Sequence, residues 1–380
     1  MDEVSVLIVD DSAMMRNLIG RMIEDTPGLV IAGKAMDGQF ALQKIPRLNP
    51  DVICLDLEMP EMNGIEFLQE RKKLGIKIPV VILSSIAEKG AKITMEALSL
   101  GASDFVTKPS GSVSMDIHRV RDTLIPMLLG YGGAYRRSQG KKVLGPNEYT
   151  QKPAAPPSQI PDLSAYIKMS SAPVAEPAAP PAQLRRPGKT EIIAIGISTG
   201  GPDALRVVFA NLDKDLAVPI LVVQHMPPGF TSEFAKSLDR ICPLEVKEAE
   251  DGDVVTNGHI YIAQGNKHME VERKAGGAVI HLSDSPLVSG HRPSADVLFA
   301  SVALAYQNRA LGVIMTGMGR DGAAQLGTIY KEGGMTLGQD EKSSVVYGMP
   351  RVAWEMGYVM EQVSLDNLAS RICAVAKTPR

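Results

Sequence analysis

The stretch Glu191-Ile-Ile-Ala-Ile-Gly-Ile-Ser-Thr-Gly-Gly-Pro202 joins an apolar run to a turn of small residues that carries one serine. This pattern is typical of a buried parallel strand that ends in a tight strand-to-helix loop. In open α/β sheets, ligands bind at the carboxyl ends of the strands, and we expect Ser198 at such an end. Residues 196–200 also fit the G-x-S-x-G pattern of a nucleophile elbow. Taken alone, the stretch leaves a nucleophile, a phosphate-binding turn and a plain loop open.

Composition predicts a soluble protein of two domains. The chain has 380 residues, of which 44% are hydrophobic and 22% charged. Its formal net charge of -3 gives no general attraction to nucleic acid. The acidic start does not fit a signal peptide, and no apolar run reaches membrane-spanning length. Cys54, Cys242 and Cys373 are too scattered for a disulfide framework or a zinc site, which favours the reducing cytoplasm.

Residues 1–130 alternate apolar runs and helical patterns five times, which predicts an α/β fold with a doubly wound parallel sheet. Polar or charged side chains follow the predicted strands: Asp10, Asp11, Asp56, Ser84 and Lys108. Carboxylates gathered at one edge of a sheet bind a hard divalent cation, and Mg²⁺ is expected. Asp56 is then an oxygen nucleophile for a phosphoryl group. Lys108 would neutralise the phosphoryl oxygens and Ser84 would donate a hydrogen bond to one of them.

These residues occur in a recognisable combination: Asp10-Asp11, Asp56 followed by Met59-Pro60 and Asn63-Gly64, Ser84, and Lys108-Pro109. Residues 1–130 thereby resemble the receiver domain of response regulators, which has a flavodoxin-like (βα)5 fold. The resemblance implies that a histidine kinase phosphorylates Asp56. It implies Mg²⁺ held by Asp11, Asp56 and the Glu58 carbonyl, with Asp10 assisting. It also implies a cis Lys108–Pro109 bond.

Prolines crowd residues 131–188, and alanine, serine and glutamine fill the gaps between them. Such a segment buries too little apolar surface to fold, so we expect a flexible Pro/Ala-rich linker. Residues 163–169 could form a short docking helix, although the pattern favours a transient turn. The linker would separate a first domain, 1–130, from a second domain, 189–380.

Two consecutive apolar runs of the second domain end in Ser198 and His225. Adjacent parallel strands lie about 4.8 Å apart, so these side chains could meet. Another apolar run leads into a glycine-rich loop that contains Asp321. A serine, a histidine and an acid from the strand ends of one sheet suit nucleophilic acyl transfer. His225 would take the proton of Ser198, and Asp321 would orient the imidazole.

The glycine-rich loops around Thr199 and Met318 offer backbone N–H groups for an oxyanion hole. His291 is a rival base, and Arg292 beside it could bind an acidic or carbonyl substrate. The residues alone favour His225 over His291 but leave both open. The order Ser…His…Asp differs from that of α/β-hydrolases, so that fold is not expected. The spacing of the remaining histidines does not suit a zinc site: His259, His268 and His281.

Five segments of the second domain carry further motifs: 195–202 (IGISTGGP), 222–231 (VVQHMPPGFT), 291–294 (HRPS), 315–323 (MTGMGRDGA) and 339–350 (QDEKSSVVYGMP). Behind a receiver, they resemble the CheB family of chemotaxis methylesterases. The resemblance implies a phosphorylation-activated hydrolase that removes methyl groups from glutamate γ-methyl esters on chemoreceptors, releases methanol, and deamidates receptor glutamines. It implies a doubly wound, mostly parallel α/β domain with the triad Ser198, His225 and Asp321. Ile197 departs from the family pattern, in which a small residue is expected, and could narrow the site.

Two other functions remain open on the sequence. The receiver could control an esterase or amidase with a non-receptor substrate. Alternatively, the second domain could be a non-catalytic output that binds DNA or protein, although it shows no basic helix. The resemblance implies methylated chemoreceptors and a histidine kinase as partners. We expect a cytoplasmic monomer that binds no nucleic acid, does not insert into a membrane and needs no cofactor for the ester reaction. The resemblance further implies that the unphosphorylated receiver obstructs the Ser198–His225 cleft.

Overall fold

The structure is a computed structural model that describes residues 3–85, 88–108, 114–142 and 182–378. The chain divides into two compact units, Met1–Pro173 and Val174–Arg380. Most of the expected linker, the segment 163–169 and the cis bond expected at Lys108–Pro109 lie outside the described residues. No helix within the described ranges combines the length and apolarity needed to cross a membrane.

The first unit is a five-stranded parallel sheet with helices between successive strands. Its strands are β1 (Val4–Val9), β2 (Leu29–Ala35), β3 (Val52–Asp56), β4 (Val80–Ser84) and β5 (Asp104–Thr107). Its helices are α1 (Ala13–Glu24), α2 (Gly38–Leu48), α3 (Gly64–Lys73), α4 (Glu88–Ser99) and α5 (Ser114–Ser138). The order β2-β1-β3-β4-β5 is that of a flavodoxin-like doubly wound sheet, which confirms the predicted fold.

Polar caps determine where the first three helices begin. The side chains of Ser12, Asp37 and Asn63 each accept a hydrogen bond from a backbone N–H in the first turn of their helix. Asn63 and Glu66 form a reciprocal capping box. These caps start the helices soon after β1 and β2, and the longer loop after β3 ends at the Asn63 cap.

Helix α5 continues past residue 130, where the sequence predicted the end of the first domain. Gly132 lies directly on the sheet, where a Cβ atom would come within 2.2 Å of Val4 Cγ1. The glycine therefore permits close packing of helix and sheet. Beyond it, Arg136 donates a 2.8 Å hydrogen bond to the buried Asp51 at the start of β3.

The second unit is built on a seven-stranded sheet in the order β14-β13-β12-β6-β7-β9-β8, with parallel pairs throughout. Its strands are β6 (Ile192–Ile197), β7 (Ile220–Gln224), β8 (Glu245–Glu248), β9 (His259–Ile262), β12 (Ala310–Ile314), β13 (Met335–Gln339) and β14 (Glu361–Val363). A separate antiparallel hairpin consists of β10 (His268–Lys274) and β11 (Gly277–Ser283). The helices are α6 (Gly201–Ala210), α7 (Phe230–Asp239), α8 (Ala295–Tyr306), α9 (Ala323–Lys331), α10 (Met349–Glu355) and α11 (Leu365–Lys377). The mostly parallel α/β prediction is confirmed.

Helix α8 is the main apolar helix of the second unit. Its residues Leu298, Phe299 and Val302 are fully buried, and burial of each side chain contributes about 1.5–3 kcal/mol. The start of the helix packs closely against one strand and one loop. A Cβ atom added to Gly196 or Gly322 would lie within 3.0 or 3.1 Å of the Phe299 ring. The helix therefore begins between the end of β6 and the loop that follows β12.

The second unit also includes residues before the predicted start at 189. The Leu184 N–H donates a 2.7 Å hydrogen bond to the Lys331 carbonyl, and the Gly188 N–H donates a 2.9 Å bond to the Asn308 carbonyl. The residues 184–188 are therefore bound to the folded unit, although their composition indicated linker.

Candidate active site

Ser198 and His225 follow two neighbouring strands of the second sheet. Strands β6 and β7 pair in parallel with Ile197 opposite Gln224, so the next residue of each strand lies side by side. Ser198 Oγ and His225 Nδ1 are 3.0 Å apart, which is a hydrogen-bond distance. Ile197, the departure from the family pattern, is fully buried at the end of β6. The sheet register therefore brings the predicted nucleophile and base together.

Asp321 extends this pair to three side chains. It lies in the loop after β12, which is the neighbour of β6 on the side away from β7. Its Oδ2 atom is 2.7 Å from His225 Nε2, and the residue is 1% exposed. Ser198, His225 and Asp321 thus form one continuous hydrogen-bonded chain at the carboxyl edge of three adjacent strands.

The first turn of α8 holds the Asp321 carboxylate. The Ser294 hydroxyl donates a 2.6 Å bond to Oδ1, and the backbone N–H groups of Ala295 and Asp296 donate bonds of 2.7 and 3.2 Å. Burial alone would raise the pKa of Asp321. The hydrogen bond and charge of His225, followed by the bonds from Ser294 and Ala295, instead lower this pKa to about 2. Asp321 is therefore ionised at neutral pH at a helix N-terminus, which favours negative charge.

The two hydrogen-bond partners determine the tautomer of His225. A carboxylate can only accept a hydrogen bond, so Nε2 carries the hydrogen and donates it to Asp321. The Nδ1 lone pair is then free to accept the Ser198 proton. This arrangement suits a general base with an orienting acid.

His291, the rival base, stacks on the His225 ring. The two ring centroids are 3.8 Å apart, and the planes differ by 11°. Burial and then the neighbouring His225 lower the pKa of His291 to about 4, so its ring is neutral at neutral pH. Within the described ranges, His225 is the one histidine that hydrogen-bonds to Ser198 Oγ. The geometry therefore favours His225 as the base.

Arg292 is engaged in holding two loops together. Its guanidinium donates hydrogen bonds to the Asn266 side chain and to the carbonyls of Asp284 and Ser285. These contacts use the same N–H groups that the sequence offered to an acidic or carbonyl substrate. The structure therefore assigns Arg292 to the loop framework.

The peptide between Ser198 and Thr199 is fixed by its carbonyl. The Ser198 carbonyl accepts hydrogen bonds from the Gly201 N–H at 2.8 Å and from the Gln224 side-chain amide at 3.0 Å. The C=O and N–H of a trans peptide point in opposite directions, so the Thr199 N–H points away from these donors. No acceptor within the described residues receives this N–H. It is available to a ligand beside Ser198.

The peptide between Gly317 and Met318 is held in the same way. The Gly317 carbonyl accepts hydrogen bonds from the N–H groups of Gly348 at 3.1 Å and Met349 at 2.9 Å. In the part of the chain that the structure describes, the Met318 N–H also has no acceptor. A Cβ atom on Gly317 would lie 2.8 Å from Ser198 Cβ, so glycine lets this peptide approach the nucleophile. Two fixed N–H donors beside a serine suit an oxyanion hole.

A second cluster of predicted site residues lies in the first unit. Asp10, Asp11 and Asp56 each place one carboxylate oxygen within 4.8 Å of the other two. Asp10 Oδ2 is buried and accepts no hydrogen bond from the residues that the structure describes, which leaves a carboxylate oxygen for a cation. The Glu58 N–H donates a 3.2 Å bond to Asp56 Oδ1, so the Glu58 backbone borders the cluster. The donor set therefore fits a hard divalent cation such as Mg²⁺.

Lys108 supplies the counter-charge. Its Nζ atom is 2.6 Å from Asp56 Oδ2 and 3.5 Å from Asp10 Oδ2. Burial raises the pKa of both carboxyl groups, and Lys108 opposes that rise. Burial alone would lower the pKa of Lys108, but the hydrogen bond and charge of Asp56 raise it above the ordinary range. Lys108 is therefore a stable cation beside Asp56.

Ser84 lies at the end of β4, where the sequence placed it, but its hydroxyl is bound to helix α4. Ser84 Oγ is 2.5 Å from Thr94 Oγ1, and Thr94 donates a 2.7 Å bond to the Gly90 carbonyl. Contact with a phosphoryl group on Asp56 would require Ser84 to leave Thr94. The sequence offered no sign of this partner because Thr94 lies within an ordinary helical pattern.

Comparison with known proteins matches both units to described families. The response regulator receiver domain model matches residues 6–117, and the CheB methylesterase model matches residues 193–372. A "protein-glutamate methylesterase/protein-glutamine glutaminase" of Treponema denticola is 60% identical over 372 residues, which cover 98% of each chain. The Treponema pallidum protein of the same name is 51% identical and covers 98% of this chain and 96% of its own.

A solved structure matches the second unit. The crystal structure of the Thermotoga maritima CheB methylesterase catalytic domain is 37% identical, with a TM-score of 0.48, and covers 49% of this chain and 98% of that one. The near-complete alignment with the 60% identical relative, together with a receiver match followed by a methylesterase match, shows the family. The chain belongs to the CheB methylesterase family.

Proposed function

We propose that this protein is a receiver-controlled protein-glutamate methylesterase and protein-glutamine glutaminase that acts on methylated chemoreceptors. The proposal rests on the hydrogen-bonded triad of Ser198, His225 and Asp321. His225 Nδ1 lies 3.0 Å from Ser198 Oγ, and His225 Nε2 lies 2.7 Å from Asp321 Oδ2. The names of the relatives supply the substrate class, which is a glutamate γ-methyl ester or a glutamine side-chain amide.

The first half of the reaction is acyl transfer to Ser198. His225 Nδ1 takes the hydroxyl proton as Ser198 Oγ bonds to the γ-carbonyl carbon. The carbonyl oxygen becomes negatively charged and is stabilised by the N–H groups of Thr199 and Met318. The tetrahedral intermediate then expels methoxide, which leaves as methanol with the proton from His225. A glutamyl ester on Ser198 remains.

The second half is hydrolysis of that ester. Water gives a proton to His225 Nδ1 and attacks the same carbonyl carbon, and the bond to Ser198 Oγ breaks as the serine regains its proton. The receptor keeps a glutamate carboxylate. With a glutamine substrate the leaving group is ammonia, and the same two steps apply. Asp321 stabilises the positive imidazolium in both steps.

The first unit supports the regulatory part of the proposal. Asp10, Asp11, Asp56 and the Glu58 carbonyl would hold Mg²⁺, which supplies positive charge that neutralises the phosphoryl and carboxylate oxygens. Asp56 accepts the phosphoryl group from a kinase histidine, as the P–N bond breaks and an acyl phosphate forms. Lys108 is positioned to bind a phosphoryl oxygen. Contact between the phosphoryl group and Ser84 would break the hydroxyl pair with Thr94.

The function is tested by methanol release from a methylated chemoreceptor cytoplasmic fragment. The full chain should release methanol, and a small phosphodonor with Mg²⁺ should raise the rate. Asp56→Asn should abolish this increase because an amide cannot form an acyl phosphate. Mass spectrometry after borohydride trapping should find the label at position 56.

The matched control is Asp25→Asn, which changes an exposed acid of the same domain at the end of α1. It should keep the response to the phosphodonor. Label that persists in Asp56→Asn would show that another residue is phosphorylated. Hydrolysis of a small ester without methanol release from the receptor would show that the enzyme is active but that its substrate is not the chemoreceptor.

Receiver control is tested with a fragment of residues 182–380, chosen because residues 184–188 bind the second unit. Without phosphodonor, the fragment should act on the receptor faster than the full chain, and a phosphodonor should not stimulate it. If about 1% of the unphosphorylated protein is in the active state, removal of the receiver raises the rate by up to ~100-fold. This increase corresponds to a free-energy difference of about 2.7 kcal/mol between the two states. Equal receptor rates for the fragment and the unphosphorylated chain would mean that the receiver stimulates rather than inhibits.

A second substrate separates two forms of inhibition. If the receiver obstructs entry of the bulky receptor, a small soluble ester should show a smaller difference between the fragment and the full chain. If the receiver distorts the triad itself, both substrates should show the same difference. The comparison uses rates per active serine, which removes differences in the folded fraction.

A further inference from the structure

Gln224 is a buried amide that contacts the backbone of both the nucleophile and the base. It is the last residue of β7 and is 2% exposed. Its Nε2 atom lies 3.0 Å from the Ser198 carbonyl oxygen and 3.2 Å from the His225 carbonyl oxygen. One side chain therefore joins the two strand ends that carry the proposed chemistry.

The chemistry of the amide settles its orientation. If Oε1 and Nε2 of Gln224 exchanged places, the oxygen would face two carbonyl oxygens and repel both. In the orientation of the structure, Oε1 is buried and accepts no hydrogen bond from any described residue. A buried acceptor without a donor is unfavourable, and native structures contain few of them. Gln224 thus keeps both hydrogen bonds from Nε2 to the carbonyls of Ser198 and His225, even though its Oε1 then has no donor.

Gly201 provides the space that this amide occupies. A Cβ atom on Gly201 would lie 1.9 Å from Gln224 Oε1. The φ angle of Gly201 is not in the left-handed region, so its backbone does not itself require glycine. The Gly201 N–H also donates to the Ser198 carbonyl at 2.8 Å. The glycine and the amide therefore hold the same carbonyl from two directions.

We propose that Gln224 is a positioning residue for the oxyanion hole, an inference that rests on the function proposed above. By holding the Ser198 carbonyl, its amide fixes the peptide plane whose opposite end is the Thr199 N–H. That N–H then stays directed to where the oxyanion of the tetrahedral intermediate forms. Without the amide, the Gly201 N–H is the one remaining donor to this carbonyl among the described residues, and the peptide can rotate. Oxyanion stabilisation depends on donors that are fixed before the charge develops.

The first test is Gln224→Met, which keeps the side-chain length and removes the donor. We expect kcat to fall by roughly 10²-fold with KM changed by less than about threefold, because the lost interaction belongs to the transition state. Rates are divided by active sites titrated with a fluorophosphonate. If Gln224 had a purely structural role, Gln224→Met would lower the fraction of protein that the fluorophosphonate labels, but kcat per labelled site would stay within about threefold of the unsubstituted protein. That result would overturn the proposal.

The matched control is Thr336→Val on β13. It removes another fully buried side chain that bonds the backbone, since Thr336 Oγ1 accepts the Met360 N–H at 3.2 Å. We expect stability to fall but kcat per titrated site to stay within about twofold. The pH at half-maximal kcat/KM should be unchanged in Gln224→Met, because His225 keeps both of its side-chain partners. A shifted pH midpoint would place the effect on the base and overturn the proposal.

A second route displaces the amide without removing it. In Gly201→Ala the new methyl group must move Gln224 Oε1, the flexible end of a side chain, so kcat should again fall by roughly 10²-fold. In the Gln224→Met background the same change should reduce kcat by less than about threefold, because residues that act through one contact are not additive. Full additivity would show that Gly201→Ala acts elsewhere and would overturn the proposal.

The inference and the proposed function can fail separately. If the unsubstituted protein releases no methanol from the receptor, the proposed substrate is wrong. The rate at which a fluorophosphonate labels Ser198 then still tests Gln224, because phosphonylation also places an oxygen in the oxyanion hole. Labelling slowed by roughly 10²-fold in Gln224→Met supports the proposal, and an equal labelling rate overturns it.

Discussion

Replacing Ser198 with alanine should lower kcat for methanol release by about 10⁴- to 10⁶-fold, the range for loss of a triad nucleophile. The physical reason is that the acyl group then has no acceptor within reach of His225, and direct attack by water must replace acyl transfer. The remaining rate would come from the Thr199 and Met318 N–H groups and from substrate binding. Methanol release from methylated receptor, measured per folded molecule, checks this result.

Stability should change little in Ser198→Ala. The serine is half-buried, and its backbone bonds to Thr316 and Gly201 do not involve the hydroxyl. A matched control is Ser237→Ala, because the Ser237 hydroxyl donates its hydrogen bond to the Phe234 carbonyl of its own helix, away from the triad. That variant should keep kcat within about twofold. A folded Ser198→Ala protein that retains kcat within about tenfold would contradict the assignment of the nucleophile.

The sequence predicted the strand-end residues because their positions follow from local patterns. A buried run that ends in a small-residue turn places Ser198 at the edge of a parallel sheet, and the next run places His225 there too. The two meet because consecutive strands paired, which the register of β6 and β7 confirms. The prediction therefore needed only the period of the strands and the tendency of sequential strands to be neighbours.

The supporting contacts could not be predicted from sequence because they join distant segments. Ser294 precedes helix α8, yet its hydroxyl donates to Asp321, 27 positions along the chain, instead of capping that helix. Gln224 resembled an ordinary strand residue, and its role depends on where the Ser198 carbonyl points in three dimensions. The stacking of His291 on His225 also arises only from folding. No local pattern contains the direction of these groups.

Composition does not define where the two folded units end, for a physical reason. Glycine has no side chain, so it favours turns, but it also allows two backbones to approach. Gly132 serves the second purpose within α5, where it touches Val4. The proline-rich composition before residue 189 predicted a flexible linker, while the backbone N–H groups of Leu184 and Gly188 are hydrogen-bonded to the second unit. Composition describes solubility and stiffness, and it does not show which backbone groups find partners.

Changing the other two members of the triad should be nearly as damaging as removing the serine. His225→Ala removes the base and should lower kcat by about 10⁵- to 10⁶-fold. Asp321→Asn keeps the shape but should lower kcat by about 10⁴-fold. An asparagine amide can donate to His225 Nε2, which moves the ring hydrogen to Nδ1 and faces Ser198 with a donor instead of an acceptor. Steady-state methanol release measures both effects.

Asp321→Asn should also destabilise the fold. The pKa of Asp321 is lowered from an ordinary 3.8 to about 2, so the ionised form stabilises the protein at neutral pH, and this stability is lost as the pH falls through about 2. The matched control is Asp296→Asn. Asp296 is the acid next to Asp321 in the structure, and its side chain accepts a hydrogen bond from the Gln325 N–H on α9. Its backbone bond to Asp321 survives the change, so kcat should stay within about tenfold.

Combination with Ser198→Ala tests whether the three side chains act as one unit. Once the nucleophile is absent, the base has no serine proton to accept and the acid has no imidazolium to stabilise. Ser198→Ala with His225→Ala should therefore be slower than Ser198→Ala alone by less than about tenfold, and the same holds for Asp321→Asn. Multiplication of the single effects would mean that His225 assists a reaction that bypasses Ser198. If His291→Ala were as damaging as Ser198→Ala while His225→Ala were mild, the stacked ring would have to be reassigned as the base.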